Sequence, residues 1–217
     1  KDSNVVVVGV GGLGCPVSLY LVAAGVGTLV LIDEGRFELS NLNRQILGWT
    51  KDVGRLKVES VTEKLLALNP NVKAKAASVR IDEGSVSEVI SESDAVVDCL
   101  DNWETRFILN RACVEQRKPL IHAGIRGLYG QAMTILPGKG PCLRCLLPET
   151  PPDIPRFPVL GATPGLFAMI QVMETLKVLL GIGDPLVNRM LVFDGVDTSF
   201  TTIDVKRSMT CPVCGHL

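Results

Sequence analysis

Residues 8–17, VGVGGLGCPV, constrain this chain more than any other stretch. Glycines at Gly9, Gly11 and Gly14 give the spacing G-x-G-x-x-G, directly after an apolar run at residues 4–9 that suits a central parallel strand. Residues 12–24 have helical periodicity, and residues 28–32 form a second apolar run that ends at Asp33. Strand, glycine loop, helix, strand and acid together read as one βαβ unit. In such a unit Gly9 permits the tight turn, Gly11 lets the backbone approach a phosphate, and Gly14 lets the helix pack on the strand. Gly12 belongs to the same loop. The phosphate rests on unpaired N–H groups at the helix N-terminus, favoured by the helix dipole. Asp33 is placed to accept hydrogen bonds from a ribose. The motif predicts a bound nucleotide and leaves NAD and ATP both open.

The rest of the chain continues the alternation. Residues 55–69 predict an amphipathic helix stopped by Pro70, 72–79 a strand, 85–91 a short helix, 94–99 a buried strand, 105–116 a helix and 119–122 a strand. This predicts an α/β fold, a Rossmann-like, doubly wound and mostly parallel sheet. The pattern then changes. Residues 130–136 predict an antiparallel strand, 148–164 a proline-rich extended crossover loop, 165–180 a long helix, and 190–193 with 199–205 a closing hairpin. We expect one domain over 1–217, with a nucleotide-binding half at 1–125. The half at 126–217 would carry the crossover loop and a partner-binding hairpin.

Composition excludes several classes. A net charge of −1 and 5% aromatic residues argue against nucleic acid as a ligand. No run approaches the roughly 18 apolar residues of a membrane helix; residues 166–180 are interrupted by Gln171, Glu174 and Lys177. No secretory signal is visible, and seven cysteines then suit a reducing, cytoplasmic setting. The 47% hydrophobic content predicts a buried sheet plus a subunit interface.

Residues 37–49, FELSNLNRQILGW, and 54–60, GRLKVES, favour ATP over NAD. If a nucleophile attacks the α-phosphate, charge grows on the departing pyrophosphate, and fixed cations with Mg²⁺ must meet it. Arg44 can grip a terminal phosphate with its planar fork, and Lys57 can reach in from the start of its helix. Asn41, Asn43 and Gln45 can orient the nucleotide. In VVDCLDNWETR, residues 96–106, Asp101 and Asn102 emerge where a buried strand ends. Ligands sit at the carboxyl ends of such strands, and Asp101 could hold Mg²⁺. Either residue could equally begin the next helix as its N-cap. Cys142 with Cys145, and Cys211 with Cys214, form two C-x-x-C pairs that read as a closed, structural zinc site. Cys15, Cys99 and Cys113 read as small buried apolar residues, and His122 as structural.

The motifs in order, GVGGLG, Asp33, NLNRQ, Lys57, CLDNWETR, GLYGQ, CLRC and CPVCG, resemble the ThiF/MoeB/HesA family over essentially the whole chain. Members adenylate the C-terminal glycine carboxylate of a small ubiquitin-like protein with Mg-ATP. The resemblance implies Asp33 on the ribose, Arg44 and Lys57 on the phosphates, and Asp101 on magnesium. It also implies a ubiquitin-like sulfur carrier with a flexible Gly-Gly tail as substrate. A terminal carboxylate is already ionised, with a pKa of roughly 3.5, so no general base is needed. Two departures stand out. Many relatives carry a cysteine in the crossover loop, whereas residues 148–165 hold none and Ile154 or a neighbour takes its place. Adenylation without a loop-cysteine thioester is therefore expected. The chain also starts three residues before its first strand, so the N-terminal arm whose arginine enters the partner subunit's ATP site is either omitted or dispensed with. A non-catalytic nucleotide-binding scaffold, and adenylation of another carboxylate or of a tRNA base, remain alternatives from sequence alone.

Overall fold

The computed structural model describes residues 1–152 and 158–217. Its framework is one eight-stranded sheet made of β1 (Asn4–Val8), β2 (Thr28–Ile32), β3 (Lys73–Ala77), β4 (Ala95–Asp98), β5 (Leu120–Arg126), β6 (Tyr129–Ile135), β7 (Arg189–Asp194) and β8 (Ser199–Asp204). The order is β3-β2-β1-β4-β5-β6-β7-β8. The first five strands are parallel to one another, and β6, β7 and β8 add on antiparallel beyond β5. The winding reverses between β1 and β4, so the crevice outside their carboxyl ends is the natural ligand position.

Successive strand residues face opposite sides of a sheet, and both sides are covered here. Val5 and Val7 join a core with α1 (Gly14–Ala23), α2 (Lys57–Leu68) and α6 (Ala162–Leu180). Val6 and Val8 join a second core with α3 (Val86–Ile90), α4 (Trp103–Glu115) and α5 (Leu143–Leu146). Double burial explains why β1 reads NVVVV without alternation.

The structure moves several expected boundaries. Strand β5 runs to Arg126 because β6 pairs with it as far as Tyr129, across a tight turn with Gly127 at φ +60°. Strand β4 ends at Asp98 rather than residue 99, and α4 starts at Trp103 because Asn102 caps it. Helix α2 starts at Lys57, since Arg36 and Leu56 form a short bridge first. Helix α6 begins at Ala162, so the last three residues of the expected crossover loop are helical. Pro164 fits there because a first-turn residue needs no N–H partner.

By length and composition α6 could cross a bilayer, with a mean hydropathy of 1.2, but half of that window is buried within the fold. Its polar residues serve the sheet. Gln171 Nε2 donates to the Asp98 and Ile121 carbonyls at 2.8 and 3.1 Å. Glu174 accepts from Thr134 Oγ1 and Leu186 N, each at 2.6 Å.

Candidate active site and thiol cluster

The glycine loop separates two needs. A Cβ on Gly14 would lie 1.9 Å from the Gly9 carbonyl oxygen, and one on Gly9, whose φ is +93°, would lie 2.6 Å from the Cys99 oxygen. Those glycines let helix, loop and the exit of β4 touch. Gly11 is different: a Cβ there would meet nothing nearer than Gln45 Nε2, at 3.8 Å. The packing around Gly11 does not call for glycine, which leaves its bare backbone available to a ligand. The Gly11 and Gly12 N–H groups find no backbone carbonyl among the described residues. Gln45 is buried beside them, and its Oε1 has no partner among the described residues. An unsatisfied buried amide oxygen is costly, and here it borders the loop a nucleotide would occupy.

The cations flank this loop. Arg44 lies against Gly12, whose missing Cβ would be 3.4 Å from the Arg44 methylenes and from Pro164 Cβ. Its Nη1 donates to Ser40 O at 3.0 Å and Asn43 Oδ1 at 2.8 Å, so its polar contacts are neutral oxygens. Asn43 also reaches the Val159 carbonyl at 3.4 Å, tying this segment to the far side of the crossover loop. Lys57 opens α2 with its ammonium beside Gly35, 3.3 Å from where a Cβ would stand; Asp33 Oδ1 is 2.9 Å from the same point. Asp33 accepts from Val10 N and Gly35 N, both at 2.7 Å, so it fixes the glycine loop to the end of β2. Asn41 accepts from Glu38 N at 3.1 Å and closes a local turn.

Asp101 is exposed immediately beyond β4, and Asn102 Oδ1 accepts from Thr105 N at 2.9 Å. The N-cap is thus Asn102, with Asp101 free of that duty. Beneath them lies a cluster of Asp98, Arg106 and His122, all buried, of which the sequence reading took up His122 alone, as structural. Burial opposes ionisation of Asp98, but the Arg106 charge and the His122 hydrogen bond outweigh it and hold the carboxyl below its ordinary value. Burial drives the His122 pKa down despite Asp98, so the imidazole is neutral. The network assigns its Nδ1–H to Asp98 Oδ2, 2.6 Å away. The signal was present: an acid inside an apolar strand, and one of two histidines in the next one.

Against the middle of α4, where Leu143 N donates to Asn110 Oδ1 at 3.0 Å, the four expected cysteines meet. Their sulfurs all lie within 4.8 Å of one another. Cys142 and Cys211 are 3.7 Å apart, and Cys145 and Cys214 3.3 Å. Tetrahedral zinc with bonds of about 2.3 Å asks for sulfurs about 3.8 Å apart, so four thiolates here fit zinc. Ser208 N donates to Cys145 Sγ at 3.4 Å, an N–H···S contact of the kind that supports a thiolate. The other three cysteines are buried. Burial pushes the Cys15 thiol up to about 12 and raises those of Cys99 and Cys113 strongly.

The family model for the ThiF family matches residues 1–213. The chain belongs to the ThiF family. It is 44% identical over 220 residues to the SAMP-activating enzyme E1 of Haloferax volcanii, covering 99% of this chain and 81% of that protein. It is 43% identical over 225 residues to the sulfur carrier protein adenylyltransferase of Thermus thermophilus, covering 99% and 83%. Among solved structures, E. coli MccB with ATP superposes with a TM-score of 0.89 at 27% identity, covering 99% of this chain and 67% of that one. As a ThiF-family member the chain is an adenylyltransferase-class enzyme, with the mostly parallel sheet and antiparallel extension expected from its sequence.

Proposed function

We propose that this protein transfers AMP from ATP to the C-terminal glycine carboxylate of a ubiquitin-like sulfur-carrier protein and releases pyrophosphate. The observation that carries the reading is the pair of Gly11 and Gly12 N–H groups, which find no backbone carbonyl among the described residues, with Gln45 Nε2, Arg44 and Lys57 around them. One carboxylate oxygen attacks the α-phosphorus, and the bond to the β-phosphate bridging oxygen breaks. The leaving electron pair ends on pyrophosphate. Arg44 and Lys57 stabilise that charge from fixed positions. Asp101 would hold magnesium, which supplies further charge neutralisation on the phosphates. Asp33 meets the ribose with lone pairs its two backbone bonds leave free, while Asn41, Asn43, Gln45 and Asn102 order the rim.

No proton need be removed from an ionised carboxylate, and the neutral, buried His122 is consistent with that. The tail would enter by a cavity of about 660 Å³ lined by Arg126, Gly127, Leu128, Tyr129 and Pro158, at the carboxyl end of β5. Glycines suit a narrow passage because they carry no side chain. The acyl-adenylate would pass directly to sulfur or the next acceptor, because the remaining thiols are buried. Residue 154, where many relatives carry a cysteine, lies outside the described residues. The reading includes structural zinc and a cytoplasmic homodimer, the latter supported by exposed Met173, Leu180 and Ile182 on and after α6. Nucleic acid and membrane have no part in it.

Carrier-dependent exchange of labelled pyrophosphate into ATP tests the proposal, using carriers that end in Gly-Gly. Exchange should require the carrier, and Arg44→Ala and Asp101→Ala should each lower it about 100- to 1,000-fold. ATP binding without exchange under any carrier would instead support a nucleotide-binding scaffold. Denaturing mass spectrometry after turnover should find the chain at its unmodified mass. A chain-plus-carrier adduct would overturn the thioester-free route.

A further inference from the structure

The buried Asp98–Arg106–His122 cluster has no part in the mechanism above, yet it touches the loop that carries Asp101. Asp98 and His122 are register partners on β4 and β5, and neither side chain is exposed. Arg106 reaches back from the first turn of α4. Its Nε lies 3.5 Å from Asp98 Oδ2, and its Nη2 donates to Ala123 O at 2.9 Å and to Leu100 O. Asp98 Oδ1 accepts from Leu100 N at 3.0 Å. The cluster therefore holds both the N–H and the C=O of Leu100, the residue before Asp101. The Trp103 ring lies 5.0 Å from the guanidinium and 6.0 Å from the His122 ring.

Burying these charges carries a desolvation penalty of several kcal/mol per ion. The fold could end β4 and start α4 without it, since Asn102 already caps the helix. What the cluster adds is a fixed peptide under an exposed carboxylate. We propose that Arg106 is a positioning residue: clamped between Asp98 and the Leu100 and Ala123 carbonyls, it fixes the Leu100–Asp101 peptide and so sets where the Asp101 carboxylate meets metal-bound phosphate. This rests on the adenylation reading. Rigid placement matters because small displacements of a fixed charge forfeit much of its stabilisation.

The test is the effect of magnesium on ATP affinity, measured by titration calorimetry on the full chain with Mg²⁺ and with EDTA. Asp101→Ala sets the benchmark by removing the enhancement that magnesium gives the parent. Arg106→Gln should lose that enhancement by about tenfold, near the benchmark, while ATP affinity in EDTA stays within about threefold of the parent. Arg106→Lys, which keeps the charge beside Asp98 but lacks the fork, should recover part of it. The double variant Asp98→Asn/Arg106→Gln leaves no unpaired buried charge, and should show the same loss where the single variant folds poorly.

A merely structural role would weaken both affinities together or neither. A folded Arg106→Gln or double variant with the parental magnesium effect, or with an equal loss in EDTA, overturns the inference. A parent that binds no ATP overturns the adenylation reading itself. A parent whose magnesium effect survives Asp101→Ala removes Asp101 from the metal, and this inference with it.

Discussion

Gly11→Ala is expected to fold like the parent and to lose ATP, whereas Gly14→Ala is expected to lose the fold. The two glycines stand three residues apart in one motif, which assigns them different work: phosphate approach at Gly11 and helix packing at Gly14. A methyl at Gly11 enters open space, with Gln45 Nε2 as its nearest neighbour at 3.8 Å. Its stability effect should stay within about 0.5 kcal/mol, as for substitutions that disturb no packing. The same methyl occupies the surface on which a phosphate would rest, so ATP affinity should fall at least about tenfold, or 1.4 kcal/mol. A methyl at Gly14 stands 1.9 Å from the Gly9 carbonyl oxygen and 2.9 Å from its carbon.

Those are backbone atoms and cannot rotate away. Gly9 cannot retreat either, because Cys99 O crowds its other side. Relief requires α1 to lift from β1, opening the core around Cys15, Val17 and Leu21. Overpacking usually costs about 1–3 kcal/mol, and a clash with fixed backbone belongs at or above that range. Thermal melts and ATP titrations on both variants decide the matter. Parental ATP affinity in Gly11→Ala would mean that residues 10–13 do not cradle phosphate. A parental melting temperature in Gly14→Ala would mean that helix and loop do not touch as described.

Those local features were legible in the sequence because a glycine spacing, an apolar run and a helical period are each written within a few residues. Asp33 and the alternation of strands and helices came from the same kind of signal. The start of α6 was misread because proline density at residues 148–164 suggested loop to its end, although Pro164 costs a helix little in its first turn. Arg106 and Asp98 were passed over for a deeper reason. Their meaning depends on β4 lying beside β5 with Asp98 level with His122, and that register is set by the whole sheet. Asn102 shows the complementary case: both readings were available, and its 2.9 Å bond to Thr105 N assigns the cap. The two cysteine pairs were readable as one site from their spacing, and the fold brings them together by turning residues 205–217 back past β8 onto α5.

Removing the zinc proposed for the four cysteines is therefore expected to act at a distance from the nucleotide crevice and to spare it. Among the described residues, 205–217 form no strand or helix. They are held by the four thiols, by Ser208 N on Cys145, and by Arg207, whose Nη2 donates to Cys214 O at 2.8 Å and to Leu217 O. Val205, Cys211 and Cys214 close one side of the core that also contains Leu143, Met190 and Leu109. Without a metal the four sulfurs repel as thiolates or stand as poorly partnered thiols, and that segment loses its anchor. A zinc level about 1,000-fold above the dissociation constant contributes about 4 kcal/mol to folding. For a chain of this size that corresponds to about 8–16 °C in melting temperature. Chelation, or Cys211→Ser with Cys214→Ser, should lower the melt by that amount and release one zinc per chain. Hydrogen exchange should accelerate at residues 142–147 and 206–217 while β1 and β4 stay protected, because β1 and β4 lie at the centre of the sheet with both faces buried. ATP binding at temperatures below the lowered melt should persist. No zinc in the purified protein, together with an unchanged melt in the double serine variant, would reduce the cluster to four packed thiols. A mass two hydrogens lighter per cysteine pair would make it a disulfide site instead.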